Sequence, residues 1–232
     1  MNVPWMAKER IAKAASGLIA DYETMVGYRV TPPIPVEDMI ERTLGLRLSF
    51  EDLESILGIE DVLGATYVGA GVICINERLL EQGPEGRLMF TCAHEAGHWV
   101  LHRRYARVPK RQSGKRDVIV CRSGNSMNRI EWQADYFAAC LLMPQEDLIR
   151  AFRSIVEEEV LVIHNTHSTT GPPAPFVDPC VENWAYIAAM MCDAGGFTNV
   201  SRHAMVIRLQ ELGLVINLTD RTLGWRGSSA AC

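Results

Sequence analysis

The sequence predicts an α+β fold, and three stretches carry that expectation. Residues 5–27 place Ile11, Ala15, Leu18, Ile19 and Tyr22 at helical intervals with charges between them, the pattern of an amphipathic helix. Residues 62–76 alternate and are rich in β-branched and aromatic side chains. With Gly69, Ala70 and Gly71 available for a turn, they read as a hairpin of strands 62–68 and 72–76. Residues 129–143, RIEWQADYFAACLLM, form a strong helical segment stopped by Pro144.

The other elements fall between these. A proline-marked entry leads into a short helix at 36–44 that exits at Gly45, with a strand near 46–50. Gly83-Pro84 is a start signal for a helix over 85–104. The polar, basic segment 105–127 holds one apolar run, VIVC at 118–121, that can add an edge strand. Pro144 also opens a helix over 145–159, since proline is tolerated in a first turn. Residues 164–183 carry four prolines and read as a long loop. Helices at 183–194 and 201–212 and a strand near 214–219 follow, with no internal repeat.

At 232 residues, 48% hydrophobic and 22% charged, the chain can bury one good core or two modest ones. Its longest apolar runs fall far short of the ~20 residues of a membrane span, and the N-terminus has no hydrophobic stretch before a cleavage site. A cytoplasmic protein is expected. Seven cysteines, with no CxxC among them, suit reduced, buried thiols in that compartment. A net charge of −5 argues against a generic nucleic-acid binder.

The helix over 85–104 carries TCAHEAGHWVLH, which is either half of a metal site or an ordinary helix with three histidines. His94 and His98 are rotated by ~400° and separated by ~6 Å of rise, so two imidazoles can reach one ion. Glu95 lies ~100° around, suited to a general base rather than a third ligand. A hydrolytic zinc site needs three protein ligands and an exchangeable water, so another ligand must come from elsewhere. The helix over 129–143 offers Glu131 and Asp135 on one face, with Ala138 and Ala139 small enough for close helix packing. Glu131 can ligate while Asp135 accepts the second N–H of a zinc-bound histidine.

The segments FTCAHEAGHWVLHR and IEWQADYFAACLLMP together resemble the ImmA/IrrE family of zinc metallopeptidases. The likeness extends upstream to GAGVICIN and downstream to VSRHAMVIRLQELGL. It implies a zincin-like core, a small mixed sheet packed on the HEAGH helix, followed by a helical, helix-turn-helix-like C-terminal region. The expected division is a metallopeptidase domain at 1–144 and a helical region at 145–232, which can pack as one unit. The resemblance implies one catalytic Zn²⁺ held by His94, His98 and Glu131, with Glu95 as the catalytic glutamate. Asp135 falls where the family has Asn or Asp. Better-known members are bacterial cytoplasmic proteins that cleave or inactivate helix-turn-helix repressors of stress or mobile-element genes. Such a repressor is therefore the expected partner. Two departures stand out. The loop with GPPAPFVDP looks longer than usual, and the short tail after Asp220 leaves no room for an added sensor domain, so a trigger would act through a partner or expression level.

The implied chemistry is attack by a metal-polarised water, with Glu95 moving the proton to the leaving amine. The substrate is expected to lie beside an edge strand at 72–76, and Tyr67 and His102 are candidates for a second electrophile. Blander expectations stand alongside. His102 reads as a hydrogen-bonded histidine at a helix end, and His164 and His167 as solvated loop residues. Met190, Met191 and Met205 read as helix core. Arg103, Arg104, Arg107, Lys110, Arg111, Lys115 and Arg116 form either a solvated loop or a docking surface for an acidic partner.

Ser201 looks like an N-cap ahead of buried Met205, Leu209 and Leu212, giving a helix-turn-helix look. A rival reading is therefore a DNA-binding or repressor-binding regulator whose metal site is structural or idle. It has only Arg202, Arg208, Arg221 and Arg226 to work with, against Glu211 and Asp220. An antirepressor that holds its partner without cutting is a further reading.

Overall fold

The computed structural model describes residues 3–82, 84–106, 118–122, 128–167 and 177–221. Arg107, Lys110, Arg111, Lys115 and Arg116 of the basic run, the GPPAPF part of the 164–183 loop, and Arg226 lie outside the described residues. The chain divides into two compact units. Met1–Val30 and Ile34–Leu142 form the first, and Thr31–Pro33 and Met143–Cys232 the second.

The first unit opens with α1 (Lys8–Val26), whose Ile11, Ala15, Leu18 and Tyr22 are buried, as their spacing requires. It continues through α2 (Val36–Asp38), which runs into a π-helical turn (Met39–Thr43), to strand β1 (Arg47–Glu51). Next comes α3 (Leu53–Leu57), a short helix with no counterpart in the sequence expectation. Asp52 caps it by accepting from Ser55 N at 3.1 Å, and Gly58 ends it in the left-handed region. Strands β2 (Val62–Tyr67) and β3 (Val72–Asn76) form the expected hairpin. After α4 (Arg78–Gln82), Pro84 opens α5 (Glu85–Gly97), which continues as a π-helical turn (His98–His102) and a 3-10 turn (Arg103–Tyr105). Strand β4 (Val118–Arg122) and helix α6 (Arg129–Leu142) complete the unit.

Among the described residues the strands form one four-stranded sheet in the order β1-β3-β2-β4. β1 and β3 run parallel, while β2 is antiparallel to both β3 and β4. This corrects one expectation. Residues 72–76 are not an edge, because Arg47–Glu51 pairs with them along their whole length. The edges belong to β1 and β4.

Beyond an irregularity between Val62 and Gly64, alternation in β2 sorts its side chains by face. Ala65 and Tyr67 pack with Leu53, Val62 and Cys74 on the side covered by α3. Thr66 turns to α5, where it is fully buried and hydrogen-bonded to Glu95. α5 in turn packs on α6, and α6 on α1. The α5 to α6 approach is close at Gly97, where a Cβ would lie 3.0 Å from Phe137 Cδ1 and 3.3 Å from Ala134 Cα. A side chain there would hold the two helices apart.

The second unit contains α7 (Gln145–Ile155), β5 (Leu161–Ile163), α8 (Trp184–Gly195), α9 (Arg202–Glu211) and β6 (Val215–Asn217). α8 packs against both α7 and α9, and β5 pairs in parallel with β6. β5 was not anticipated, since its three residues are too few to show a period. Ser201 caps α9 as expected, accepting from Ala204 N at 3.1 Å. Met191, Met205 and Leu209 are buried, while Met190 and Leu212 are only half-buried. Arg208 is 2% exposed, with its guanidinium 3.3 Å from Glu211, so α9 does not present it as a surface charge.

The fold matches the α+β expectation of a small mixed sheet on the HEAGH helix, with a helical C-terminal region. No helix among the described residues is long and apolar enough to cross a membrane. Cys74, Cys92, Cys140, Cys180 and Cys192 are free, buried thiols.

Gly97→Val is expected to lower stability by about 1–3 kcal/mol through overpacking at the α5 to α6 contact. Thermal unfolding checks this, and an unchanged midpoint would show that the contact tolerates a side chain.

Candidate metal and catalytic site

Helical spacing puts His94 and His98 on one side of α5, with ring centroids 4.6 Å apart. α6, lying alongside, brings Glu131 to both. Glu131 Oε2 is 3.2 Å from His94 Nε2, and Oε1 is 3.5 Å from His98 Nε2. Asp135, one turn further along α6, reaches the other face of the His94 ring, with Oδ1 2.8 Å from Nδ1. All five sequence-predicted site residues therefore come from two helices, with Glu95 on the sheet side of α5. His94, His98 and Glu131 are buried and together form a group that can hold a metal ion.

The outer hydrogen bonds decide which ring nitrogens carry protons. Asp135 Oδ1 is an acceptor, so His94 donates from Nδ1 and its Nε2 presents a lone pair to Glu131. The His98 side is set by a longer chain. The Gln133 amide nitrogen donates to the Pro4 carbonyl at 3.0 Å, leaving Oε1 to accept from His102 Nε2–H at 2.9 Å. His102 Nδ1 is then an acceptor for His98 Nδ1–H at 3.0 Å. Consequently His98 Nε2 also carries a lone pair. It has no hydrogen-bond partner among the described residues.

Two imidazole lone pairs and a carboxylate thus converge in a buried space with no proton of their own to share. Such a donor set fits a cation, and its nitrogen and oxygen atoms are those a borderline metal such as zinc accepts. The site's electrostatics agree. Burial, assisted by the neighbouring His94, pushes His98 down to about 4, so the ring is neutral near pH 7. Burial opposes ionisation of Glu131, but the two imidazoles packed against it outweigh burial and hold the carboxyl down to about 2.

Glu95 is fully buried. Burial pushes its carboxyl up to about 7, against the opposing effects of His94 and of the Thr66 hydrogen bond. Thr66 Oγ1 donates to Oε2 at 2.5 Å, while Oε1 has no hydrogen-bond partner among the described residues. Room for Oε1 exists because residue 64 is glycine. A Cβ there would lie 2.6 Å from this oxygen.

A model of the peptidase M78 family, described as the IrrE N-terminal-like domain, matches residues 42–167. The chain belongs to this family. No curated protein matches it. The matched segment of this M78 peptidase holds His94, Glu95, His98, Glu131 and Asp135, together with the outer residues Thr66, His102 and Gln133.

Sequence reasoning missed Gly64, Thr66 and Gln133. The first two sit two apart on one predicted strand, so period two marks them as facing the same way, but nothing local says that they face Glu95. Gln133 depends on a carbonyl 129 residues away in sequence and leaves no local signal. His102 is buried between His98 and Gln133, and Tyr67 packs on the α3 side of the sheet. Tyr67 is thus turned to the opposite face of the sheet from Thr66, which meets Glu95, and His102 has both ring nitrogens engaged.

Gln133→Leu removes the acceptor that orders His102 and hence His98. Metal affinity, measured by competition with a chromophoric chelator, is expected to fall ~10–100-fold in a folded protein. An affinity equal to that of the parent would remove the relay from the account of the site.

Proposed function

We propose that this M78 peptidase is a zinc-dependent endopeptidase. The observation that carries the reading is the convergence of His94 Nε2, His98 Nε2 and Glu131 beside a buried glutamate with one unengaged oxygen. His94, His98 and Glu131 would hold the ion, and Asp135 would fix the tautomer of His94. When bound, zinc supplies Lewis acidity toward a water molecule and a peptide carbonyl.

The residues of the chain supply the proton transfers. Thr66 holds Oε2 of Glu95, leaving Oε1 to take the proton of the attacking water. The protonated carboxyl then hands that proton to the departing amine. Gly64 keeps the path to Oε1 clear. Because β3 is an interior strand, an extended substrate has to use a sheet edge. β4 is the edge next to β2, the strand whose Gly64 and Thr66 meet Glu95. We assign it as the strand on which the peptide lies, by strand addition.

The substrate we assign is a helix-turn-helix transcriptional repressor in the bacterial cytoplasm, cleaved to release stress or mobile-element genes. The resemblance of the two helical motifs to repressor-cleaving relatives supports that choice. The free thiols suit a reducing compartment. The rival DNA-binding reading is weakened by burial of Arg208, one of its four arginines.

Glu95→Gln is expected to keep the metal and to slow cleavage of a candidate repressor by at least ~100-fold, read by intact mass with and without chelator. Undiminished cleavage by this variant would overturn the mechanism. Derepression without any cleavage by the parent protein would favour the holding antirepressor instead.

A further inference from the structure

A second set of metal-ligating side chains lies in the second unit, far along the chain from the HEAGH helix. His164 follows β5, and its backbone is zipped to the 178–183 segment. Its N–H donates to Pro179 O at 2.9 Å, and its carbonyl accepts from Val181 N at 2.8 Å, giving a parallel bridge between His164 and Cys180. The 178–183 turn is held from within by Cys180 N and Asn183 Nδ2, both donating to the Asp178 carbonyl at 2.8 and 3.0 Å. Two short backbone segments are thereby fixed side by side.

On this frame the side chains of His167, Cys180 and Glu182 bring ligand atoms within 4.8 Å of one another. Cys180 Sγ is 3.5 Å from His167 Nδ1, and Asp178 Oδ2 is 3.4 Å from the same nitrogen. Around a tetrahedral zinc ion, a thiolate and an imidazole nitrogen lie about 3.6 Å apart, and an imidazole nitrogen and a carboxylate oxygen about 3.3 Å apart. The two observed spacings match both values. A Cys-His-Asp proton relay would use opposite ring nitrogens, one for sulfur and one for the carboxylate. Here Sγ lies 3.5 Å from Nδ1 and 3.8 Å from Nε2 while the carboxylate meets Nδ1, so the two groups are not divided between opposite ring nitrogens.

We propose that His167, Cys180 and Glu182 form a second zinc site, with Asp178 beside His167, that ties together the two ends of the 167–178 segment. Three protein ligands leave the fourth tetrahedral position to water or to the neighbouring Asp178. Cys180, Asp178 and Glu182 all lie beyond the segment matched by the family. The site uses a single cysteine, which is why cysteine spacing gave no sign of it. His167 is exposed, as the sequence predicts, and its ring nevertheless meets Cys180 and Asp178.

The test uses the full chain, stripped of metal and reloaded with Co²⁺ or Zn²⁺. The expected result is two equivalents of tightly held metal per chain. With cobalt, a near-ultraviolet thiolate-to-metal charge-transfer band should appear, which a His-His-Glu site cannot produce. Cys180→Ser should lose the band and one equivalent while keeping peptidase activity. His167→Ala, a change at an exposed side chain, should do the same without touching the buried thiol. His94→Ala should lose the other equivalent and keep the band, so failure of the peptidase reading and failure of this one are distinguishable. One equivalent without a thiolate band in the parent protein, or a band that survives Cys180→Ser, would overturn the proposal.

Discussion

Everything at the candidate site depends on how closely α5 and α6 approach. The carboxylate of Glu131 must come within about a hydrogen-bond length of two imidazoles on another helix, which requires nearly touching backbones. Gly97 lies between Glu95 and His98 in this packing sense, facing Ala134 and Phe137, and the absence of a Cβ there permits the approach. The small residues that sequence reading nominated, Ala138 and Ala139, are on the right helix. The tight contact at Gly97, however, is with Ala134 and Phe137, nearer to Glu131 along α6. A site built from two helices also inherits their rigidity, so the three acceptors are positioned before any ion arrives.

That preorganisation has an electrostatic cost. Burying two imidazole lone pairs against an ionised carboxylate is unfavourable without a positive charge between them. The outer hydrogen bonds keep the arrangement from relaxing. Asp135 on one side, and the chain from Pro4 through Gln133 and His102 on the other, leave neither histidine a tautomer in which it can donate to Glu131. His102 thus acts on the site at one remove. Glu95 is treated differently, for one of its oxygens is held by Thr66 and the other is left unengaged beside Gly64, as a group that moves a proton should be.

The two metal-ligating groups differ in the architecture that makes them. The first rests on helix periodicity and helix packing, both strong and regular. The second rests on backbone bonds between His164 and the 178–183 segment, an irregular piece of chain in which no period exists to be read. An irregular segment can be as well determined as a helix when its carbonyls and amides are paired, as they are between His164 and the 178–183 segment.

The sequence by itself determined the elements whose pattern is local. These are α1 from its buried stripe, the hairpin from its alternation and turn, α5 and α6 from apolar periodicity and prolines, and the Ser201 cap of α9. It also determined the chemical half of the site, because His94 and His98 four apart on a helix can face only one way. The tertiary structure alone decided what needs distant partners. It placed β1 beside β3 and so moved the sheet edge from 72–76 to β4. It set Gly64 and Thr66 against Glu95, and tied His102 through Gln133 to a carbonyl near the N-terminus. It also gathered His167 with Cys180, Asp178 and Glu182. The physical reason is common to all of these. Period and capping are properties of neighbouring residues, whereas strand order, helix contact and hydrogen-bond partners across the chain are fixed only when burial of the whole core selects one packing.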